Sequence, residues 1–187
     1  LAQEIQTIQS DHSKYLSVSL HFQDETRLGL ITEGGRKITL KGVKPIGLKQ
    51  YERKCFYLYG TVAPLTGRTF FVELPYLDGE CCQIFINEFG KSHREGLHIL
   101  VLDRASCHTS GKLKCPPNVV LLPLPAASPE LNPIERFWQD LKKVLKWQCF
   151  ESLYKLEETL WKVLKTWSKE SLRSLTLFPY IEEAFNA

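Results

Sequence analysis

The segment Leu97–Leu102 constrains the fold of this chain more than any other feature, because it is apolar at every position except His98. A nearly continuous apolar run of this length is typical of a central strand that is buried on both faces of a sheet. Both faces of that sheet must therefore be covered by other parts of the chain. A second apolar run, at 119–124, predicts a further strand.

Three more strands are predicted ahead of the central one. Residues 15–22 alternate in polarity and are rich in strand formers. Residues 55–62 and 68–74 are apolar and aromatic, and the Ala-Pro-Leu-Thr-Gly sequence at 63–67 predicts the hairpin turn that joins them. Residues 28–38 contain two consecutive glycines and resemble a turn between strand pieces.

Apolar residues at helical spacing predict the helices. Residues 78–90 fit a helix that Asp78 caps and Gly90 ends, with Ile84, Phe85 and Phe89 on its apolar face. The other predicted helical segments are 134–146, 152–167 and, as a short helix and tail, 171–187.

Residues 128–138, Ser-Pro-Glu-Leu-Asn-Pro-Ile-Glu-Arg-Phe-Trp, predict a turn that runs straight into a helix. Asn132 is a good N-cap, Pro133 fits the first helical position and Glu135 falls at the third. Taken alone, Glu135 is explained by a capping box with Asn132. The predicted buried stripe consists of Ile134, Phe137, Trp138, Leu141, Val144 and Leu145. Along the edge of this stripe lie Glu135, Gln139, Lys142 and Lys146.

Two aspartates follow apolar strands. Asp24 lies just beyond the first predicted strand, where sites on open sheets tend to occur, and a solvated strand end explains it equally well. Asp103 closes the central strand, and a buried ionised aspartate needs a cation, a hydrogen-bond donor or solvent. A metal ion would meet that need, and so would a cap on a following short helix.

The charge of the chain permits a nucleic-acid partner without requiring one, because the formal net charge is +3 at pH 7. Its basic residues are concentrated between positions 36 and 54, where seven of them accompany the single acid Glu52. This segment is either a phosphate-contacting loop or solvated surface. The seven are Arg36, Lys37, Lys41, Lys44, Lys49, Arg53 and Lys54.

The six cysteines include no CxxC pair, which predicts a reduced, cytosolic chain. Cys107, His108 and Cys115 match no common zinc-finger spacing and lack a fourth ligand. No apolar run approaches the roughly 18 residues that span a membrane. The sequence contains no methionine, so we expect it to be processed, excised or recombinant.

Three of these segments together resemble one family. They are Asp-Glu-Thr-Arg at 24–27, Leu-Asp at 102–103 followed by Ala105 and His108, and the stretch 128–138. With these motifs the chain resembles the catalytic domain of DDE-type transposases of the mariner-like superfamily, on its bacterial insertion-sequence branch. The resemblance covers about residues 18–146. It implies a ribonuclease H-like α/β fold, in which helices flank a mixed five-strand sheet.

The resemblance also implies that Asp24, Asp103 and Glu135 form the catalytic triad. These carboxylates would bind Mg²⁺, with Mn²⁺ able to substitute, in a two-metal site for cutting and joining DNA. The family usually has asparagine after the second aspartate, where this chain has Arg104. This departure affects the hydrogen bonding near Asp103 rather than the aspartate itself.

Further roles are expected around the triad. His108 would orient the site, donate to a phosphate or make only a structural hydrogen bond. Asn132 would support the helix that carries Glu135. The expected partners are the terminal inverted repeats of the element and target DNA, bound by a homodimer in the bacterial cytoplasm, at the nucleoid. The expected DNA contacts are Arg36, Lys37, Lys41, Lys44, Lys142 and Lys146.

The predicted organisation is a tail or linker remnant at 1–14 and a catalytic domain with C-terminal helices at 15–187. The helix-turn-helix DNA-binding domains of the family have no counterpart in this sequence. Two functions of different class follow: a transposase that cuts and joins DNA, and a catalytically silent relative that binds DNA or supports assembly. A structure-specific nuclease of the same fold is a further alternative.

Overall fold

The computed structural model describes residues 1–35, 38–44, 46–103, 113–125 and 128–186. Within them five strands form a single sheet in the order β3-β2-β1-β4-β5. β1 pairs antiparallel with β2 and parallel with β4, so the predicted mixed five-strand sheet is confirmed. The strands are β1 (Val18–Gly29), β2 (Cys55–Ala63), β3 (Arg68–Leu74), β4 (Leu97–Leu102) and β5 (Val119–Pro123).

Helices cover both faces of this sheet. α2 packs on one face, and the other helices contribute to a larger apolar cluster on the opposite face, which we call the α3 face. All six residues of β4 are buried, as its apolar sequence predicts for a strand covered on both sides. The helices are α1 (Ala2–Asp11), α2 (Gly79–Ser92), α3 (Ile134–Leu145), α4 (Leu153–Leu164), α5 (Lys169–Thr176) and α6 (Pro179–Asn186).

The first strand is longer than its sequence predicts. Pairing with β2 continues to Gly29↔Cys55, and both Thr26 and Leu28 are buried. Asp24 therefore lies within β1 and not beyond its end, because the polar residues that suggested a strand end still pair with β2. The turn between strand pieces predicted at 28–38 is also wrong, since the described residues between β1 and β2 contain no strand.

Most other elements match their predictions. The hairpin between β2 and β3 forms where expected, with the amide of Gly67 donating to the carbonyl oxygen of Ala63 at 2.8 Å. Asp78 caps α2 by accepting from the amide of Cys81 at 2.8 Å. α2 continues two residues beyond Gly90, and Ile84, which we placed on its buried face, is 47% exposed.

The N-terminal segment packs onto the rest of the chain. Ile5 in α1 is 1% exposed and belongs to the apolar cluster on the α3 face. Residues of this segment are thus part of the core, and the boundary at residue 15 stays a prediction. Among the described residues, none of the helices combines the length and apolar character that crossing a membrane requires.

Candidate active site

Asp24 lies in the middle of β1, on the α3 face of the sheet. Side chains alternate between the two faces of a strand. The even-numbered residues Leu20, Phe22 and Leu28 all belong to the α3-face cluster, and Asp24 shares their parity. Its backbone pairs with Gly60 of β2. The acid is therefore directed toward the side of the sheet on which α3 packs.

Asp103 follows β4, the parallel neighbour of β1. The pairing of these strands runs from Val18↔Leu97 to Phe22↔Val101. Two residues further along each strand are Asp24 and Asp103, so the register brings the two aspartates to the same level of the sheet. Asp103, directly after the end of β4, is exposed. This agrees with the expectation from the sequence that an ionised aspartate here needs solvent or a partner.

Glu135 lies in the first turn of α3, half-buried. That turn is tied to β1 by Asn132, which is 4% exposed and donates from Nδ2 to the carbonyl oxygen of Gln23 at 2.9 Å. Since Gln23 immediately precedes Asp24, this hydrogen bond holds the start of α3 beside the first aspartate. Asn132 thus links α3 to β1, and its expected supporting role in the site stays a prediction.

The start of α3 differs from the prediction by one residue. The helix begins at Ile134, with Pro133 in the cap position and no side chain capping it. Asn132 Oδ1 accepts only a long hydrogen bond from the amide of Ile134, at 3.4 Å, because its amide group is engaged by β1. In the predicted stripe, Ile134, Phe137, Trp138 and Leu141 are buried, Leu145 is half-buried and Val144 is 47% exposed.

The three predicted carboxylates interact electrostatically. Burial, the largest cause, and the neighbouring charges of Glu25, Glu135 and Asp103 together raise the pKa of Asp24 to about 8. A backbone hydrogen bond at Glu25 opposes the shift. The metal-free protein therefore holds Asp24 largely protonated at pH 7, which is the partial protonation expected of clustered acids.

Trp138 completes the surroundings of Asp24. Its indole Nε1 donates to Asp24 Oδ2 at 2.9 Å. The helical spacing of the apolar residues placed Trp138 only in the buried stripe and did not predict this hydrogen bond. A signal was available, because a buried tryptophan usually finds a partner for its N–H group, and Trp138 is 3% exposed.

Gly60 makes room for the indole over the sheet. A Cβ atom at this position would lie 2.6 Å from Trp138 Cη2 and 2.8 Å from Phe71 Cδ1. Since Gly60 pairs with Asp24, the glycine permits the close approach of α3 at the level of the acid.

The predicted DNA-binding residues fall into three groups. Lys41 and Lys44 are exposed between β1 and β2, while Lys142 and Lys146 are half-buried along and just after α3. Arg36 and Lys37 lie outside the described residues, as do Arg104, Cys107 and His108. The expected roles of these last residues therefore stay predictions.

The donor set at the site suits a hard cation, because carboxylate oxygens are the ligands that Mg²⁺ and Mn²⁺ prefer. Asp24, Asp103 and Glu135 are the residues that could bind it. Within the described part of the chain, however, no group of three or more His, Cys, Asp or Glu side chains is arranged to hold a metal ion. Repulsion from Glu25, Glu135 and Asp103 is, after burial, a further cause of the raised pKa of Asp24.

Comparison with known proteins identifies relatives by sequence. Residues 19–157 match a family model described as DDE superfamily endonuclease. An uncharacterized protein, y4pE/y4sA of Sinorhizobium fredii, is 36% identical over 132 residues, which cover 62% of this chain and 98% of that protein.

Solved structures resemble the fold at much lower identity. The Mos1 mariner paired end complex with Mn superposes with a TM-score of 0.69 at 15% identity, covering 94% of this chain and 56% of that one. The Mos1 strand transfer complex gives 0.65 at 16% identity, with the same coverage of both chains. The present chain thus spans little more than half the length of these structures, and the likeness supports the ribonuclease H-like fold.

Proposed function

Because this chain belongs to the DDE superfamily endonuclease family, we propose that it is the catalytic core of a metal-dependent DNA transposase. In this proposal it cleaves phosphodiester bonds at the ends of a mobile element and joins the 3′-hydroxyl to target DNA. The observation that supports the proposal is the placement of Asp24: the register of β1 and β4 sets it level with Asp103, and the hydrogen bond from Asn132 to Gln23 holds the first turn of α3, which carries Glu135, beside it.

In the proposed mechanism each part of the site has a distinct role. Asp24, Asp103 and Glu135 would hold the divalent cations, Mg²⁺ or Mn²⁺. The bound ions would activate the attacking water or 3′-hydroxyl and stabilise the charge on the leaving oxygen. Trp138 fixes the orientation of the Asp24 carboxyl group. Asn132 keeps the first turn of α3, and with it Glu135, next to β1.

The proposed partners follow from the same family. They are the terminal repeats of an element and its target DNA, bound by a dimer in the bacterial cytoplasm, at the nucleoid. The solved neighbours support this choice, since one is a strand transfer complex and others are paired-end complexes with Mn or Mg. The catalytically silent relative and the structure-specific nuclease are outcomes that the following experiments distinguish.

The first test is Glu135→Gln, assayed by nicking of supercoiled plasmid and by strand joining with Mg²⁺ or Mn²⁺. We expect a loss of at least about 100-fold in both reactions, because amide nitrogen cannot replace a ligating carboxylate oxygen. The matched control is Glu130→Gln, an exposed acid in the single 3₁₀ turn Pro129–Leu131 just before α3, which should keep full activity. Circular dichroism checks that both variants fold.

Each result has a clear meaning. Retained cleavage in Glu135→Gln rules out the triad. Cleavage without strand joining in the wild type favours the nuclease, and neither reaction favours the silent relative. Calorimetric titration of Mn²⁺ into the wild type and into Asp103→Ala is an independent measurement, in which binding that the variant lacks supports the proposed metal ligands.

A further inference from the structure

A basic cleft lies where the end of β1, the start of β2 and α3 meet. It has a volume of about 310 Å³ and is lined by Arg27, Gly29, Ile31, Glu33, Lys54 and Lys142. Three of these residues are cationic and one is acidic, so the lining carries an excess of positive charge. No aromatic side chain is among the lining residues, which makes stacking of a base in the cleft unfavourable compared with contact to a phosphate.

The three cations come from three parts of the chain: Arg27 from β1, Lys54 from the position just before β2, and Lys142 from α3. The side chain of Arg27 is exposed. Lys142 in α3 is half-buried. Among the described residues, neither of these two cations lies within ion-pair distance of a carboxylate, so their charge is available to a ligand.

Lys54 is fixed through its backbone. The carbonyl oxygen of Lys54 accepts from the amide of Leu30 at 3.0 Å. A Cβ atom on Gly29 would lie 2.6 Å from the same oxygen, so the glycine permits this close approach. The ammonium group of Lys54 pairs with Glu52 at 2.7 Å but stays 68% exposed, and an exposed pair of this kind exchanges readily for a phosphate.

The cleft is connected to the proposed active site along two elements. Arg27 lies three residues beyond Asp24 on β1, which corresponds to roughly 10 Å of extended strand. Lys142 lies seven residues beyond Glu135 on α3, which also corresponds to roughly 10 Å of helix. The side chain of Arg27 has the opposite parity to Asp24 and starts on the other face of β1, whereas Lys142 is two turns beyond Glu135 on the same side of α3. A DNA strand that reaches the acids can therefore continue along α3 into the cleft.

We propose that this cleft binds a backbone phosphate of the DNA whose phosphodiester bond is positioned at Asp24, Asp103 and Glu135. The inference rests on the proposed function and adds Arg27 and Lys54 to its DNA-binding surface. Arg27 supplies a planar fork of N–H donors that matches two phosphate oxygens, and the two lysines supply point charges. The cleft therefore positions the strand without reading its sequence.

The test measures binding apart from catalysis. A fluorescein-labelled 30-base-pair duplex is titrated with the 187-residue chain in buffer containing EDTA, over a series of NaCl concentrations, and anisotropy gives Kd. The variants are Arg27→Ala, Lys54→Ala and Lys142→Ala. The matched control is Lys143→Ala, the next residue of α3, which is exposed and paired with Asp140 at 2.5 Å.

For each cleft variant we expect the slope of log Kd against log salt to fall by about 1, the effect of losing one phosphate contact. Lys143→Ala should keep the wild-type slope, and Arg27→Lys should restore affinity only in part because it lacks the fork. Thermal melting confirms that all variants are folded. If the cleft variants behave like Lys143→Ala while the wild type binds DNA, the proposal that the cleft binds a phosphate is wrong. The proposed reaction is not affected by that result.

Two further outcomes separate this inference from the proposed function. A wild-type chain that binds no duplex at any salt concentration contradicts the proposal that the cleft binds a DNA phosphate. A wild-type chain that binds through the cleft but neither cuts nor joins DNA with Mg²⁺ or Mn²⁺ contradicts the proposed reaction while the cleft stands as a DNA-binding site.

Discussion

At the scale of single residues, the carboxyl group of Asp24 is held by an indole and not by a charged side chain. The Nε1–H group of Trp138 is a donor at every accessible pH. It can therefore hold Asp24 both when burial keeps the acid protonated and when a cation draws it into the ionised form. A lysine or arginine in the same place would instead lower the pKa of the acid and compete with the metal for it.

Trp138→Phe tests this arrangement because it keeps an aromatic ring and removes the donor. We expect Mn²⁺ affinity to fall by about 10-fold, since a hydrogen-bond donor to a metal-binding carboxylate fixes the orientation of that carboxylate. The free energy of unfolding should fall by about 1–3 kcal/mol, because Asp24 loses its donor inside the protein. Calorimetry and urea denaturation measure the two effects.

The control for this prediction is Trp161→Phe. Trp161 lies in α4, which carries none of the three proposed metal ligands, and is 38% exposed. This variant also loses an indole N–H group but should bind Mn²⁺ like the wild type. Equal losses of metal affinity in both variants would show that Trp138 acts only through stability.

At the scale of elements, α3 is positioned against the sheet by a small number of specific contacts. Asn132 donates to Gln23, Trp138 donates to Asp24, and the indole of Trp138 lies against Gly60. The three contacts lie on Gln23 and Asp24, which are successive residues of β1, and on Gly60 of β2, which pairs with Asp24. The position of Glu135 relative to Asp24 thus depends on how closely α3 approaches β1 and β2.

Gly60→Ala should disturb that approach. The added Cβ would lie 2.6 Å from Trp138 Cη2, so the indole must shift, and its hydrogen bond to Asp24 must lengthen. We expect a loss of about 1–3 kcal/mol in the free energy of unfolding, as for other overpacked sites. Weaker Mn²⁺ binding and an altered near-ultraviolet circular dichroism spectrum should accompany it.

Gly34→Ala is the matched control for this substitution. A Cβ atom on Gly34 would meet its nearest neighbour, Trp147 Cη2, at an ordinary contact distance of 3.8 Å. This variant should melt and bind Mn²⁺ like the wild type. If Gly60→Ala does the same, the close approach of Trp138 to β2 is not required for the site.

At the scale of the whole molecule, sequence periodicity predicted those elements whose pattern of buried residues can be recognised within their own sequence. The apolar run of β4, the hairpin of β2 and β3 and the stripe of α3 are of this kind. The extension of β1 through Asp24 was not predictable in this way, because it depends on pairing with β2, more than thirty residues later. The triad itself came from family resemblance, and the role of Trp138 required the packing of α3 on the sheet.

The two faces of the sheet also differ in their polar chemistry. The acids lie on the α3 face, whereas three histidine rings meet on the α2 face. His21 of β1, 2% exposed, lies 5.3 Å from His93 and 5.5 Å from His98, measured between ring centroids. Ser19 Oγ is hydrogen-bonded to His21 Nε2 at 3.0 Å and to His98 Nδ1 at 2.6 Å. The cluster therefore couples β1, β4 and the end of α2.

The histidine cluster predicts that the protein loses stability in mild acid. Burial, followed by the charges of His93, His98 and Arg68, lowers the pKa of His21 to about 3. Burial is also the largest cause that lowers the pKa values of His93 and His98. The folded protein keeps these rings neutral, so their stabilising contribution is complete above the unfolded pKa of about 6.5. It is lost as the pH falls from there toward 3, because the unfolded chain binds protons that the folded chain excludes.

His21→Leu separates this effect from the titration of the carboxylates, which both proteins share. Between pH 6 and 4 the wild type should lose free energy of unfolding more steeply than the variant, by up to about 1.4 kcal/mol per pH unit. Urea denaturation at half-unit intervals of pH measures both slopes. His12→Gln, at the end of α1 and outside the cluster, should retain the wild-type slope. Parallel profiles for the wild type and His21→Leu would mean that His21 accepts its proton in the folded state, and the cluster would then contribute nothing to the acid sensitivity of the fold.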